Sequence, residues 1–213
     1  MSFDAIAPWY RTLETMAFGG DLQRARVACL GEIESPRRAL IVGEGNGRFL
    51  AALLKRQPLI RIDCVDSSAR MLDLARRHIL QTVPDEISRV AFLKHDVTSW
   101  VPNDRYDLIV THFLLDCFST QQVGSIVARL AQVAAPNAAW LLADFRIPEA
   151  GFPRSQARAW LAVMYWFFRC AAGIEGRELV APSPFLRVER FTLARQHLFR
   201  LGMVKSELWR KLL

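Results

Sequence analysis

Short apolar runs and segments of helical pattern alternate along residues 36 to 148 of the chain. The apolar runs predict five strands, over residues 40–42, 60–66, 89–97, a stretch that begins at 106, and 139–148. The segments between them predict helices over about 48–55, 69–80 and 121–134, with Ser67 or Ser68 and Ser119 or Thr120 as N-caps. This alternation is typical of an α/β domain in which helices cover both faces of a parallel sheet.

The segment before this alternation is rich in aromatic residues and helical in pattern. Residues 3 to 18 place large apolar side chains at helical spacings and end at Gly19-Gly20, a helix stop. A second helix is expected over about 21–33, with Asp21 as its N-cap.

The composition changes after Pro148. Residues 155 to 172 are apolar on nearly every face between Arg158 and Arg169, an interval too short to span a bilayer, which takes ~20 apolar residues. Such a helix is buried against the sheet and a neighbouring helix, lines a ligand cavity, or touches a membrane or partner. Further along, a helix is expected from Pro182, and the last two strands over 193–200 and 203–210.

The overall composition is that of a globular enzyme. A chain of 213 residues, 52% of them hydrophobic, suits one domain with a substantial core, and no repeat or linker divides it. Four cysteines show no metal spacing, so each is interpreted as a small core residue, and a reducing cytosol is the expected compartment. Residues 1 to 10 lack a basic region followed by an apolar run, so no secretory signal is expected.

The net charge of +7 first suggests a nucleic-acid partner, because basic surfaces neutralise phosphates. The basic residues are scattered singly or in pairs such as Arg37-Arg38 and Arg76-Arg77, with no cluster long enough to form an arm. Nucleic acid is therefore not the expected partner.

A glycine-rich turn follows the first predicted strand. Gly43, Gly45 and Gly47 would let backbone amides approach a ligand that side chains at those positions would push away. The helix after the turn directs its positive N-terminal end toward that ligand. The next strand closes on Asp66, at the distance where an acid usually holds a ribose diol. The stretch therefore predicts a nucleotide cradle.

The residue at position 48 distinguishes a dinucleotide-binding turn from other nucleotide-binding turns. A dinucleotide fingerprint requires a third glycine there, and this chain has Arg48. The spacing Gly-x-Gly-x-Gly with Asp66 at the tip of the next strand resembles instead the first two motifs of the class I S-adenosylmethionine-dependent methyltransferases. Three further stretches match in order and spacing: His95-Asp96-Val97 after the third strand, the fourth strand with its exit loop over 106–118, and the fifth strand after a Pro136-Asn137 turn.

This resemblance implies a Rossmann-like, doubly wound sheet of seven strands, mostly parallel, with an antiparallel last strand. It implies a single methyltransferase domain over 1–213: an N-terminal helical lid over 1–35, a cofactor-binding core over 36–148, and substrate-covering helices with a final hairpin over 149–213. It also implies S-adenosylmethionine as the cofactor. No metal is expected, because the cysteines show no metal spacing and no zinc pattern stands out. The residues implied to hold the cofactor are Gly43, Glu44, Gly45, Asn46, Gly47, Asp66, Ser67, Met71, Asp96, Val97 and Thr111.

The chain departs from the family's pattern at one position. Many members carry an acid two residues before the first glycine, and this chain has Ile41 there. Glu44 is a candidate for part of that acid's work on the cofactor's ammonium end, and the alternative is an exposed glutamate in the turn.

The candidates for catalysis are few, since no Ser/His/Asp set or zinc pattern stands out. His112 follows the fourth strand, where family members place residues that face the methyl group, so it is either a base or a structural histidine. Asp116 would orient His112 or cap the next helix. Tyr10 resembles the lid aromatic of small-molecule members, with a core tyrosine as the alternative, and Tyr165 is placed to reach the acceptor.

The sequence favours in-line methyl transfer to a small, partly apolar acceptor, because the predicted covering helices are rich in Trp, Phe, Met and Leu. Members that act on base amines have an Asn/Asp-Pro-Pro-aromatic tetrad where this chain has Thr111-His112-Phe113-Leu114. Two alternatives stay open: a membrane-associated lipid or quinone methyltransferase with peripheral membrane contact, and a non-catalytic cofactor-binding partner subunit. The sequence leaves the acceptor atom and the oligomeric state open.

Overall fold

The computed structural model describes residues 20–102, 104–148 and 180–212. The predicted helices over 3–18 and 155–172 lie outside these residues, as do Tyr10 and Tyr165. None of the helices in the described part of the chain combines the length and the apolar character needed to cross a membrane.

The strands of the described residues form one seven-stranded sheet. They are β1 (Arg38–Val42), β2 (Arg61–Asp66), β3 (Val90–Lys94), β4 (Tyr106–His112), β5 (Ala134–Phe145), β6 (Phe191–Phe199) and β7 (Val204–Lys211). Their order across the sheet is β3-β2-β1-β4-β5-β7-β6. Strands β1 to β5 run parallel, whereas β7 is antiparallel to both of its neighbours. This confirms the predicted Rossmann-like sheet with an antiparallel last strand.

Helices cover both faces of this sheet. The described α-helices are α1 (Asp21–Val27), α2 (Arg48–Arg56), α3 (Ala69–Thr82), α4 (Thr120–Gln132) and α5 (Ser183–Val188). Short 3₁₀ turns lie at Leu30–Glu32, Pro84–Arg89, Leu115–Cys117 and Arg200–Gly202.

Consecutive residues of the central strands pack into two different hydrophobic cores, one on each face of the sheet. Leu40 and Trp140 pack with Val123 of α4 on one face. Ile41 and Leu141 pack with Phe49 of α2 on the other. Because both faces are buried, these strands are continuous apolar runs rather than alternating ones, which is why the sequence revealed them so clearly.

The helix caps resolve two alternatives that the sequence left open. Ser68 Oγ accepts a hydrogen bond from Met71 N at 3.1 Å and so caps α3. Ser119 forms a reciprocal capping box with Gln122 at the start of α4. Each cap satisfies amide groups that have no partner inside their own helix.

The helix expected over 21–33 is shorter than the sequence predicted. α1 ends at Val27, and a separate 3₁₀ turn follows at Leu30–Glu32. Gly20, not Asp21, is the N-cap. The Asp21 carboxylate instead pairs with Arg24 at 3.4 Å and with Arg200 at 3.0 Å, so it joins α1 to the β6–β7 turn.

The fifth strand is longer than predicted. It begins at Ala134 and continues through Pro136-Asn137, where the sequence suggested a turn. Asn137 has a φ of 61°, and the pairing with β4 shifts register between Tyr106 and Leu108. Such an irregularity lets a strand continue through residues whose backbone has turn-like dihedral angles.

The strand order reverses between β1 and β4, which are neighbours at the centre of the sheet. In open α/β sheets, ligands bind beyond the carboxyl ends of the strands at such a point. The glycine turn after β1 and the exit loop after β4 both lie at this edge.

Candidate functional site

A cavity of about 240 Å³ opens at the carboxyl ends of β1 to β4. It is lined by seven of the residues that the sequence proposed for the cofactor: Gly43, Gly45, Asp66, Ser67, Met71, Asp96 and Val97. These residues come from three separate segments of the chain, and the parallel sheet places their ends side by side.

The glycine turn that forms one wall depends on its backbone. Gly43 has a φ of 70°, which L side chains rarely adopt, and a Cβ there would lie 2.8 Å from Leu114 Cδ1. Gly47 has a φ of 83°, and a Cβ there would lie 2.8 Å from the Ala75 backbone in α3. The turn is therefore packed closely against α3 on one side and the exit loop on the other.

Glu44 faces the interior of this turn instead of solvent. Its side chain is buried, and Oε1 accepts a hydrogen bond from Leu50 N in the first turn of α2 at 2.9 Å. An acid at this position stabilises a helix start, because it satisfies an unpaired amide and opposes the positive end of the helix dipole. Glu44, Asn46 and Gly47 are not among the residues that line the cavity.

Two carboxylates from the ends of neighbouring strands line the cavity. Asp66 ends β2, and its Oδ1 accepts from Ser68 N at 2.9 Å. Asp96 follows β3, and its Oδ1 accepts from Thr98 Oγ1 at 2.7 Å and from Thr98 N at 2.8 Å. These bonds from Thr98 lower the pKa of Asp96, so it is ionised. Both bonds fall on the same oxygen.

Eight lining residues were not named as site residues from the sequence, and half of them are apolar residues of the exit loop. The 3₁₀ turn Leu115–Cys117 and a φ of 53° at Phe113 fold this loop over the cavity. The sequence signal that could have identified the exit-loop residues is an apolar loop after a strand, because such a loop is typical of a pocket wall. The missed residues are Val42, His95, Thr98, Phe113, Leu114, Cys117, Phe118 and Gln122.

Thr111 lies inside the sheet rather than at the cavity. It is fully buried, and its Oγ1 accepts a hydrogen bond from Trp140 Nε1 of the neighbouring strand at 2.8 Å. This bond satisfies the buried indole N–H and ties β4 to β5.

His112, the last residue of β4, is 6% exposed. Its ring packs edge-on against Phe49, with 4.6 Å between the ring centroids, and its Nδ1 has no hydrogen-bond partner. Burial, and then the positive charge of Arg26, lower the pKa of His112 well below its usual value. The imidazole is therefore neutral at physiological pH.

Asp116 lies in the exit loop and is buried. The thiol of Cys117 donates to its Oδ1 at 3.6 Å, and no hydrogen bond joins Asp116 to His112 in the described structure. Burial raises the pKa of Asp116 to about 6. The predicted partnership of these two side chains thus has no direct contact to support it, and Tyr10 and Tyr165 lie outside the described residues.

A group of potential metal ligands lies away from the cavity, in the described part of the chain. Cys29, Glu32 and His197 bring their ligand atoms within 4.8 Å of one another. The carboxylate of Glu32 is already engaged by Arg195 Nε at 2.9 Å. A guanidinium at this distance competes with a cation, so we assign no metal to this group.

The comparisons with known proteins agree with this geometry. Residues 40–139 match the family model of a methyltransferase domain. The polyamine aminopropyltransferase 2 of Bacillus anthracis is 28% identical over 126 residues, which cover 53% of this chain and 34% of the relative. The chain therefore spans about a third of the length of that curated relative.

Solved structures of methyltransferases share the fold. A putative O-methyltransferase from Nostoc punctiforme PCC 73102 has a TM-score of 0.76 at 17% identity, covering 98% of this chain and 60% of that one. The mitomycin 7-O-methyltransferase MmcR has a TM-score of 0.72 at 21% identity, covering 99% and 61%. The N-methyltransferase NodS from Bradyrhizobium japonicum, solved with S-adenosyl-L-homocysteine, has a TM-score of 0.62 at 15% identity, covering 90% and 84%.

These likenesses establish the fold, and the matched domain covers the glycine turn, Asp66, Asp96 and the exit loop. Residues 40–139, a little under half of the chain, match a methyltransferase domain, and the chain has the fold of the solved methyltransferases.

Proposed function

We propose that the protein transfers the methyl group of S-adenosylmethionine to a small, partly apolar acceptor. The observation that carries this proposal is the cavity itself, which combines the glycine turn and two carboxylates with an apolar exit loop. The bound cofactor would supply a sulfonium whose methyl group is already activated toward a nucleophile. The chain's own residues then have to bind and orient the cofactor and the acceptor, and to exclude water from the site.

The cofactor is proposed to lie across the carboxyl ends of β1, β2 and β3. Its methionine end would lie beside the turn backbone at Gly43 and Gly45, which line the cavity. Asp66 accepts hydrogen bonds from the ribose hydroxyls, and Asp96 Oδ2 accepts one from the adenine amine. Met71 and Val97 are buried and provide apolar surface for the flat ring.

The exit loop is proposed to face the methyl group. Phe113, Leu114 and Phe118 line this side of the cavity and exclude water from the line of attack. An apolar wall also favours an acceptor with an apolar part, which supports the class of substrate proposed here.

We assign His112 a positioning role for the exit loop rather than that of a general base. A base must hold a positive charge after it accepts a proton, and the buried ring next to Arg26 opposes this charge. Its edge contact with Phe49 fixes the end of β4 against α2 instead.

Amines belong among the acceptors to be tested, because the curated relative is named a polyamine aminopropyltransferase. Lipids and quinones belong there as well, because both have apolar parts that would suit an apolar wall. Among the cysteines, Cys29, Cys64 and Cys117 are free thiols, which supports a reducing compartment such as the cytosol.

A mass-spectrometric screen tests the proposal. The protein is incubated with S-adenosylmethionine and separate pools of phenols, quinols, amines, thiols and lipids, and a product heavier by one methyl group is expected in at least one pool. The Asp66→Ala variant provides the control, because it should lose the product together with cofactor binding. Cofactor binding without methyl transfer to any pool would favour the non-catalytic alternative.

A further inference from the structure

A second group of polar side chains is buried at the carboxyl end of β5, next to the cavity. Asp144 is fully buried, and Asp116 of the exit loop is nearly so. Cys117 lines the cavity and donates its thiol hydrogen to Asp116 Oδ1. Burial, and then the charges of Asp116 and Asp144, raise the pKa of Cys117. Both carboxyl groups therefore lie within electrostatic range of a residue on the cavity wall.

The one lysine in this group does not neutralise the two carboxyl groups. Lys205 stands opposite Asp144 in the β5–β7 pairing, but its Nζ lies 3.0 Å from both oxygens of Glu207. Glu207 also accepts from Gln196 Nε2 and Trp209 Nε1, so it forms a complete network with Lys205. Lys205 is thus paired with Glu207, and its positive charge lowers the pKa of Asp144 only from a longer distance.

Asp144 is left with an oxygen that has no partner. Its Oδ1 accepts from Phe145 N at 2.9 Å, whereas Oδ2 is buried without a hydrogen bond. Buried polar atoms of this kind are rare in folded proteins, because each one forfeits its bonds to water. In its ionised form a carboxylate oxygen only accepts, from N–H and O–H groups, so a ligand that satisfies it in that form must carry such a donor.

We propose that Asp144, with Asp116 beside it, binds the protic group of the acceptor, a hydroxyl or an amine. This inference rests on the proposed function and names the chemical class of its substrate. The side of the cavity formed by Cys117 is then the passage between the cofactor's methyl group and this carboxyl pair.

The pair also receives the proton that methylation releases. The acceptor's lone pair forms the new bond to the methyl carbon, the carbon–sulfur bond breaks, and its electrons stay on sulfur. The hydroxyl or ammonium proton passes to a carboxylate of the pair that is ionised before the transfer, and the carboxyl group so formed later returns the proton to water. Burial raises the pKa of both acids, which brings at least Asp116 near the range where a carboxylate accepts a proton at neutral pH.

The test uses the full chain saturated with S-adenosyl-L-homocysteine, and calorimetry with three probes of one shape. These are 1-naphthol, 1-naphthylmethylamine and 1-methoxynaphthalene, of which the last has no donor. We expect at least one protic probe to bind more than tenfold tighter than the ether. Asp144→Asn should weaken binding of that probe at least tenfold, while S-adenosyl-L-homocysteine binds with unchanged affinity.

Asp63→Asn is the matched control. Asp63 is a partly buried carboxylate that accepts from Arg38 and Tyr106, so its loss affects the fold without touching the acceptor. Equal binding of the ether and the protic probes, no binding of either protic probe, or equal losses in both variants would overturn the inference. Failure of S-adenosyl-L-homocysteine to bind would instead overturn the proposed function, so the two failures are distinguishable.

Discussion

Glu44 and Leu50 are joined by a hydrogen bond from the Leu50 amide to Glu44 Oε1, at 2.9 Å. The bond turns the only acid of the glycine turn back onto the helix that the turn begins. Ile41 stands where many family members carry an acid, so neither position offers a carboxylate to the cavity. We therefore expect the methionine end of the cofactor to be held mainly by backbone groups of the turn.

Glu44→Ala should consequently act on stability more than on binding. Its loss leaves a buried amide without a partner, which should lower the free energy of unfolding by about 1–3 kcal/mol. Urea denaturation measures this change. Glu34→Ala, at an exposed position, is the control and should have little effect. A fall in cofactor affinity at unchanged stability would show that Glu44 binds the ligand directly.

Asp66→Ala should weaken binding of S-adenosyl-L-homocysteine by about 2–4 kcal/mol, since two ribose hydroxyls lose a charged acceptor. Asp66→Asn should recover part of the loss. Calorimetry measures the affinity, and Asp73→Ala on the exposed side of α3 is the control. Unchanged affinity in a folded Asp66→Ala protein would remove the ribose contact from the account.

Asp116 should make stability depend on pH in a specific direction. Its pKa is raised to about 6 in the folded protein, so folding favours the protonated form. Its contribution is complete below the pKa of the unfolded chain, near 3.8, and is lost as the pH rises through about 6. Between pH 4 and pH 7, the free energy of unfolding of Asp116→Asn should therefore rise by roughly 3 kcal/mol relative to that of the parent. Parallel pH profiles for the two proteins, measured by urea denaturation, would contradict the assignment.

His112→Leu should lower cofactor affinity modestly, by about tenfold or less, and leave the pH profile of kcat unchanged. The reason is that the buried ring supports the exit loop through Phe49 and stays neutral. Steady-state kinetics with the acceptor found in the screen provides the measurement. A fall in kcat of about 100-fold at unchanged cofactor affinity would restore His112 as the base.

The sequence predicted the sheet because its central strands are buried on both faces and therefore apolar throughout. It predicted seven cavity residues, four of which are glycines or acids at or just after strand ends, because their spacing resembles the family's motifs. It could not show that Glu44 folds back onto Leu50 or that Thr111 serves Trp140, since both depend on side-chain direction. It also overlooked Asp144, because an acid near a strand end reveals its missing partner only when β7 is placed beside it.

The central claim is that this glycine turn, with Arg48 after it, holds a single nucleoside and not a dinucleotide. Calorimetry of the full chain with S-adenosylmethionine, S-adenosyl-L-homocysteine and NAD tests it most directly. We predict binding of the first two and none of NAD. Tight binding of NAD without a signal from S-adenosylmethionine would contradict the account.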